Sequence, residues 1–164
     1  MAITTAKELA ITMLSELRNG AERSQKIYDE LGQAIHSPEI KETMDARSLV
    51  SAQILARLDQ CFKLIGEKPV KINERMHEVF LEDYRRELSE IQLPTVRKLF
   101  VLSKASHLMH LQAAGYRALI VVADTLGHPG VGVLLESCLA DKLAFVERTR
   151  RLIREQIELK VSHA

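Results

Sequence analysis

Two histidines stand one helical turn apart and could together bind a metal ion. His107 and His110 are separated by three positions, so on a helix both imidazole rings project from the same face. A zinc site also needs further protein ligands, and the spacing dictates none here. We therefore favour hydrogen-bonded or interface roles for these histidines over metal binding.

A second group of metal-ligand residue types lies nearer the middle of the chain. It comprises three glutamates and one histidine, Glu74, His77, Glu78 and Glu82. Arginines are interleaved with them on the same segment, at Arg75, Arg85 and Arg86. Alternating charge is typical of a solvent-exposed helix face. The sequence therefore predicts an exposed face here and no metal site.

Composition restricts the class of protein further. The chain has 164 residues, 46% of them hydrophobic, so we expect a single domain over residues 1–164 with a substantial core. Its 23 basic and 22 acidic residues are interleaved, unlike the basic patch of a nucleic-acid-binding protein. The arginines between 147 and 154 are followed by Glu155 and Glu158 at helical spacing, which indicates an ion-paired surface. We expect no nucleic-acid partner.

The cysteines and the N-terminus indicate a cytoplasmic protein. Cys61 and Cys138 lie within apolar helical patterns, as buried free thiols do in a reducing compartment. The first residues lead into an amphipathic pattern without the basic and apolar regions of a secretory signal. No apolar run is long enough to span a membrane. We predict a cytoplasmic location and no membrane partner.

Apolar residues recur at helical spacing through most of the chain. Thr5 and Glu8 have the spacing of a capping box, Pro38 follows an N-cap serine, and Gly66 is a natural C-terminal stop. The pattern predicts helices at about 5–35, 38–66, 72–90, 94–127 and, after the turn at 128–130, to about 161. Four are long and one is short, which predicts an all-α four-helix bundle with one elaborated crossover and no strands.

The turns between these helices carry a resemblance to a known family. The segment from Ser37-Pro38-Glu39 to Phe62-Lys63-Leu64-Ile65-Gly66-Glu67-Lys68-Pro69 resembles the YciE/YciF-type family of ferritin-like bacterial proteins. Further matches are Ala21-Glu22-Arg23, Ala114-Gly115-Tyr116 and Leu126-Gly127-His128. The resemblance covers about residues 10 to 150. It implies a ferritin-like four-helix bundle with an extra short helix in one crossover, often dimeric, linked with stress responses, and typically equipped with a di-metal site of Glu and His.

Transferred residue by residue, that metal site is only partly present. By resemblance, Glu22 matches the glutamate of the first helix, His110 is retained in the long helix, and Asp141 remains from an acidic run in the last one. At the other ligand positions this sequence has Arg47, Val50, Met109 and Gln112. Because a di-metal site needs several carboxylates to neutralise and bridge two ions, we favour a bundle without metal or other cofactor.

The arginine on the second helix leaves two interpretations open. Arg47 could pair with Glu22 or Asp141 inside the bundle and so occupy the place of a lost cation. Alternatively, its side chain could extend from an imperfect apolar stripe to solvent.

The favoured function is therefore a structural or interaction role without catalytic residues. The resemblance implies a stress-related role. We expect a homodimer because the long helix carries more apolar residues than one seam needs, among them Leu108, Leu111, Leu119, Val121 and Val122. One alternative is a ferroxidase or peroxide-handling oxidoreductase with a reduced metal site of Glu22, His110 and Asp141. Another is a binder of small apolar ligands, with a cavity near Val50, Met109 and Phe145.

Overall fold

Five α-helices account for most of the described part of the chain. The computed structural model describes residues 3–161, and the side chains among them up to residue 158. The helices are α1 (Ala6–Gln33), α2 (Pro38–Ile65), α3 (Met76–Glu90), α4 (Pro94–Thr125) and α5 (Pro129–Val161). No strand occurs in the described part, and each predicted helix is present. The short helix begins later than predicted, because residues 66–75 run along α1, where the Val70 amide donates to Ser15 Oγ.

Local signals fix the helix ends. The Thr5 side chain accepts from the Glu8 amide while the Glu8 carboxylate accepts from the Thr5 amide, so the predicted capping box is confirmed. At the end of α2, Gly66 has a φ of 68°, in the left-handed region that favours glycine. Gly127 has the same role after α4, with a φ of 78°.

The long helices form a closed ring in the order α1, α2, α5 and α4, because α1 packs on α2 and α4 while α5 packs on the same two helices. The ends of α2 and α4 meet the starts of α1 and α5 around one cleft, which includes Ala10, Ile65, Ala123 and Val131. Hence α2 and α4 run in the same direction. The connection 66–93 must cross the length of the bundle, and it carries α3 along the outside of α1 and α4. This is the ferritin-like bundle with a short crossover helix.

The core consists of two apolar clusters. One contains Tyr28, Leu31, Met44, Leu102 and Phe145, and the other contains Leu14, Ile54, Leu58, Tyr116 and Cys138. Buried polar residues lie between the two clusters along every long helix. We call these the polar layer, which consists of Ser24 on α1, Arg47 and Ser51 on α2, His77 on α3, Gln112 on α4 and Lys142 on α5.

Candidate functional site

A chain of hydrogen bonds runs through the polar layer from the crossover to α5. Lys142 Nζ donates to Gln112 Oε1 at 2.8 Å. Gln112 Nε2 lies 2.6 Å from Ser24 Oγ and 2.9 Å from His77 Nε2. The other ring nitrogen, His77 Nδ1, lies 3.0 Å from Glu74 Oε2. Four helices and the segment before α3 thus meet at one buried glutamine.

The bonding pattern determines where the protons lie. Ser24 Oγ donates its own hydrogen to the Gly20 carbonyl, so it accepts from the Gln112 amide. The second amide hydrogen then points at His77 Nε2, which must be the accepting nitrogen. In this bonding pattern the hydrogen on His77 lies at Nδ1, from which the ring donates a hydrogen bond to Glu74.

Gly20 makes room for the imidazole. A Cβ atom at position 20 would lie 3.1 Å from His77 Cε1 and 3.9 Å from Gln112 Nε2. The absent side chain allows the crossover to insert His77 into the bundle. Outside the layer, α3 buries Phe80 and Tyr84 in the first apolar cluster. Its other polar contacts include exposed ion pairs such as that between Arg85 and Glu30, so His77 is its main polar attachment to the interior.

Lys142 is an almost fully buried amine, with only 1% of its surface exposed. Its Nζ lies 5.0 Å from the centre of the Tyr116 ring and contacts the Met109 sulfur at 4.0 Å. Burial, and next the positive charge of Arg47, lower the pKa of Lys142 well below its ordinary value. Asp141 does not neutralise it, because that carboxylate pairs with Arg57. The amine is therefore held towards its neutral form.

Arg47 is the second buried basic residue, 2% exposed. Its guanidinium carbon lies 5.7 Å from the ring centres of both Tyr28 and Phe145, which are packed edge to face. Within the described residues, none of its three guanidinium nitrogens has a hydrogen-bond partner. The two aromatic rings therefore help to stabilise the buried charge. The Tyr28 hydroxyl also interacts with it, because burial raises the pKa of Tyr28 and Arg47 partly offsets that rise.

Both sequence interpretations of Arg47 are wrong. The candidate carboxylates belong to other arginines, since Glu22 pairs with Arg18 and Asp141 with Arg57. Solvent is also out of reach, because all three guanidinium nitrogens are buried. Which arginine meets which carboxylate depends on the rotation of each helix about its axis, and the apolar stripe alone did not determine that rotation.

The residues of the alternative metal site are not brought together. Glu22 and His110 are exposed, and Asp141 is engaged with Arg57 on the side of the bundle. Among the described residues, no group of three or more His, Cys, Asp or Glu side chains could hold a metal ion. The residues at the other family ligand positions do point inward, since Met109, Gln112 and Arg47 are buried while Val50 is half-buried.

The acidic segment of the crossover differs in part from the prediction. Glu78 and Glu82 are exposed as predicted. The prediction is wrong for His77, which is buried, and for Glu74, which is partly buried and bonded to it. His107 is exposed and lies edge-on to Phe80, with ring centres 6.4 Å apart.

Sequence reasoning missed Lys142, although a signal was present. On α5 the buried residues recur at helical spacing at Leu135, Cys138, Phe145 and Leu152. Lys142 lies in the same stripe, between Cys138 and Phe145. A lysine inside an apolar stripe is a candidate buried amine.

Two cavities border the polar layer. The lysine cavity, of about 140 Å³, lies beside α1, α4 and the crossover, and its lining includes Gly20, His77, Gln112, Tyr116 and Lys142. The outer cavity, of about 330 Å³, lies between α2 and α5 and is lined by residues that include Arg47, Val50 and Phe145. A cavity is thus present near Val50 and Phe145. Met109 does not line it, because its side chain lies in the core.

Comparison with known proteins identifies the family. The family model described as "Domain of unknown function (DUF892)" matches residues 5–162. The chain belongs to this family. The resemblance to YciE/YciF-type proteins is thereby confirmed, because the stress protein YciF of E. coli has the same fold. A search of curated proteins finds no significant match.

Three solved structures share the fold over nearly their whole length. YciF of E. coli is 19% identical with a TM-score of 0.89, covering 95% of this chain and 99% of its own. YcfI of Rhodopseudomonas palustris, described with a proposed structural role, is 22% identical with a TM-score of 0.86, covering 90% and 94%. A protein of Xanthomonas campestris pv. campestris is 18% identical with a TM-score of 0.72, covering 97% and 96%. At these identities the comparison establishes the fold alone.

None of the helices in the described range 3–161 combines the length and apolar character that crossing a membrane requires.

Proposed function

We propose that this chain is a metal-free ferritin-like protein of the cytoplasm with a structural or interaction role in stress responses, exerted through self-association. One observation carries the metal-free part: two basic side chains, Arg47 and Lys142, are buried at the level where a di-metal bundle has its ions. The relatives described as a stress protein and with a proposed structural role support the cellular role.

The buried bases oppose metal binding by charge and by donor type. Arg47 carries a guanidinium cation, which cannot donate electrons to a metal. A divalent ion beside it in a low-dielectric interior would be repelled, and no aspartate or glutamate is among the fully buried residues of the described range to compensate. In the described part of the chain, the polar layer itself contains no aspartate or glutamate. No observation favours the oxidoreductase alternative, since Glu22, His110 and Asp141 do not share a site.

Self-association would bury apolar residues that are exposed to water in the isolated bundle. Two of the α4 residues that exceed one apolar seam, Leu108 and Leu119, are buried within the chain itself. Leu111 is 41% exposed and Val121 is 66% exposed. We propose that a second copy of the chain covers the exposed part of α4 around Val121.

Metal analysis tests the first part of the proposal. Protein expressed with added iron, manganese and zinc, and purified without chelators, is expected to contain far less than one equivalent of any of these ions. Adding each ion to the purified protein is expected to leave the melting temperature unchanged, because a ligand that binds only the folded state would raise it. About two ions per chain, the number a di-metal site holds, would overturn the proposal.

Light scattering tests the second part. At micromolar concentration the protein is expected to have about twice the mass of one chain. Val121→Glu should lower that mass, whereas Leu49→Glu, at a similarly exposed position on α2, should not. A monomer at this concentration contradicts self-association, and it leaves the metal-free proposal standing because the two measurements are independent.

A further inference from the structure

Lys142 is placed to act as a nucleophile. We propose that Lys142 forms an imine with a small, neutral aldehyde that enters the lysine cavity. The inference rests on three observations: the cavity beside the amine, the hydrogen bond from the amine to Gln112 Oε1, and the nearby positive charge of Arg47. It goes beyond the structural role proposed above and depends on neither self-association nor the absence of metal.

The hydrogen bonding leaves the amine a free electron pair. Gln112 Oε1 accepts one N–H of Lys142, and the Met109 sulfur is only a weak acceptor for another. Gln112 is itself fixed by Ser24 and His77, so its carbonyl is held in one orientation. Gln112 is thus a positioning residue, because it directs one hydrogen of the amine inward and leaves the nitrogen lone pair available.

The surroundings disfavour the protonated form. A lysine that is desolvated and adjacent to another cation is the arrangement by which enzymes obtain a nucleophilic amine at neutral pH. The titratable groups that face Lys142 or border its cavity come from all five helices and the crossover: Glu16, Arg47, Glu74, His77, Tyr116, Cys138 and Asp141. Burial and Arg47 are the largest influences, and both lower the pKa of Lys142. Cys138 and Asp141 on α5 raise the pKa of Lys142, but more weakly.

The cavity defines the class of ligand. Its inner wall is formed by buried side chains, including Gln112, Tyr116 and Lys142, whereas Glu16 and Leu111 lie at the exposed edge. A volume of about 140 Å³ suits a molecule of a few carbon atoms. The carboxylates of Glu16 and Glu74 repel an anionic aldehyde, and the apolar remainder of the lining favours a short alkyl chain. A neutral aliphatic aldehyde meets these conditions.

The reaction balances without a further reagent. The nitrogen lone pair of Lys142 attacks the aldehyde carbon, and the carbon–oxygen double bond opens to a carbinolamine. The carbon–oxygen bond then breaks as the carbon–nitrogen double bond forms. Both amine hydrogens leave with the carbonyl oxygen as one water molecule. Nothing is oxidised or reduced, and addition of water reverses the step.

Reductive trapping of the folded protein tests the inference. The protein is treated briefly with propanal and cyanoborohydride near neutral pH, and propylated lysines are located by peptide mass spectrometry. Each unit by which the pKa of a lysine falls raises its free-base fraction about tenfold. Lys142 is therefore expected to be propylated at least about tenfold faster than the exposed Lys41. Equal or slower labelling of Lys142 would overturn the inference.

Variants distinguish labelling of Lys142 through the cavity from the ordinary labelling of surface lysines. Lys142→Met should remove the fast adduct, whereas Lys104→Met should not, although Lys104 is also a partly buried lysine. Leu111→Trp narrows the exposed edge of the cavity at a position that tolerates a large side chain, so labelling of Lys142 should fall while that of Lys41 is unchanged. Unchanged labelling of Lys142 in this variant would refute entry through the cavity. If Lys142→Met does not fold, mapping of the unaltered protein and the Leu111 variant still decide the matter.

Discussion

Arg47 and Lys142 are two basic side chains buried in the same polar layer, and the positive charge of Arg47 helps to lower the pKa of Lys142. Neither makes an ion pair with a carboxylate among the described side chains. The centre of this bundle is therefore positively charged, whereas a di-metal bundle places carboxylates there to receive cations. Stability and reactivity should both depend on this pair.

Replacing the buried arginine by an apolar side chain of similar length should stabilise the protein. The guanidinium of Arg47 is removed from water without a hydrogen-bond acceptor, and the two aromatic contacts compensate only in part. We expect Arg47→Met to raise the free energy of unfolding by about 1–3 kcal/mol in urea titrations. Arg57→Met, which breaks a more exposed pair with Asp141, should change it by less than about 1 kcal/mol. A loss of stability in Arg47→Met would mean that the guanidinium has a stabilising partner.

The pKa of Lys142 should make stability depend on pH. In the unfolded chain a lysine has a pKa of about 10.4, and in the folded protein burial and Arg47 lower it. Between the two values the unfolded state binds one more proton, so the free energy of unfolding rises with pH by up to about 1.4 kcal/mol per unit. The cost of protonating the buried Lys142 is absent above the unfolded pKa. It grows as the pH falls towards the folded pKa, and it is constant below that value.

Comparison with Lys142→Met isolates this effect. Unfolding by urea is measured for both proteins between about pH 7 and about pH 8.5, below the range in which unfolded thiols ionise fully. The unaltered protein should gain stability relative to the variant across that interval. Parallel pH profiles would show that the pKa of Lys142 is not lowered into or below this range.

A methyl group at position 20 should release the crossover. The Cβ of Gly20→Ala would press on the imidazole of His77 at 3.1 Å, and displacing that ring breaks its bonds to Gln112 and Glu74. We expect a loss of about 1–3 kcal/mol despite the better helix propensity of alanine, together with faster amide hydrogen exchange in α3. Gly130→Ala is the matched control, because its Cβ would lie at an ordinary 3.5 Å from Leu64. Unchanged exchange in α3 would contradict the anchoring role of His77.

Both native thiols should be slow to react in the folded protein. Burial raises the pKa of Cys61 to about 12 and also raises that of Cys138. Since the thiolate is the nucleophile, alkylation at about pH 8 should be far slower than in urea. Leu64→Cys places a control thiol at an exposed position on α2, and it should react quickly. Rapid alkylation of Cys61 in the folded state would contradict its burial.

Sequence predicted the helices well because the signals for their ends are local. The capping box at Thr5 and the left-handed glycine at Gly66 act within a few residues of themselves. The polar layer was predicted less well because its contacts are not local. The buried imidazole of His77 fits closely against Gly20, a residue far away in the chain, where a Cβ would lie 3.1 Å from the ring. The partners of Arg47 likewise depend on how α2 is rotated against α1 and α5.

The position of His77 also constrains the order in which the chain folds. The α1–α2 and α4–α5 hairpins bring together segments that are neighbours in sequence, so each can form early. The imidazole, by contrast, needs Gly20 of α1 and Gln112 of α4 already side by side before it has a place to bind. We therefore expect the crossover helix to dock late in folding, so that the strength of its anchor affects how fast the native protein unfolds more than how fast it folds.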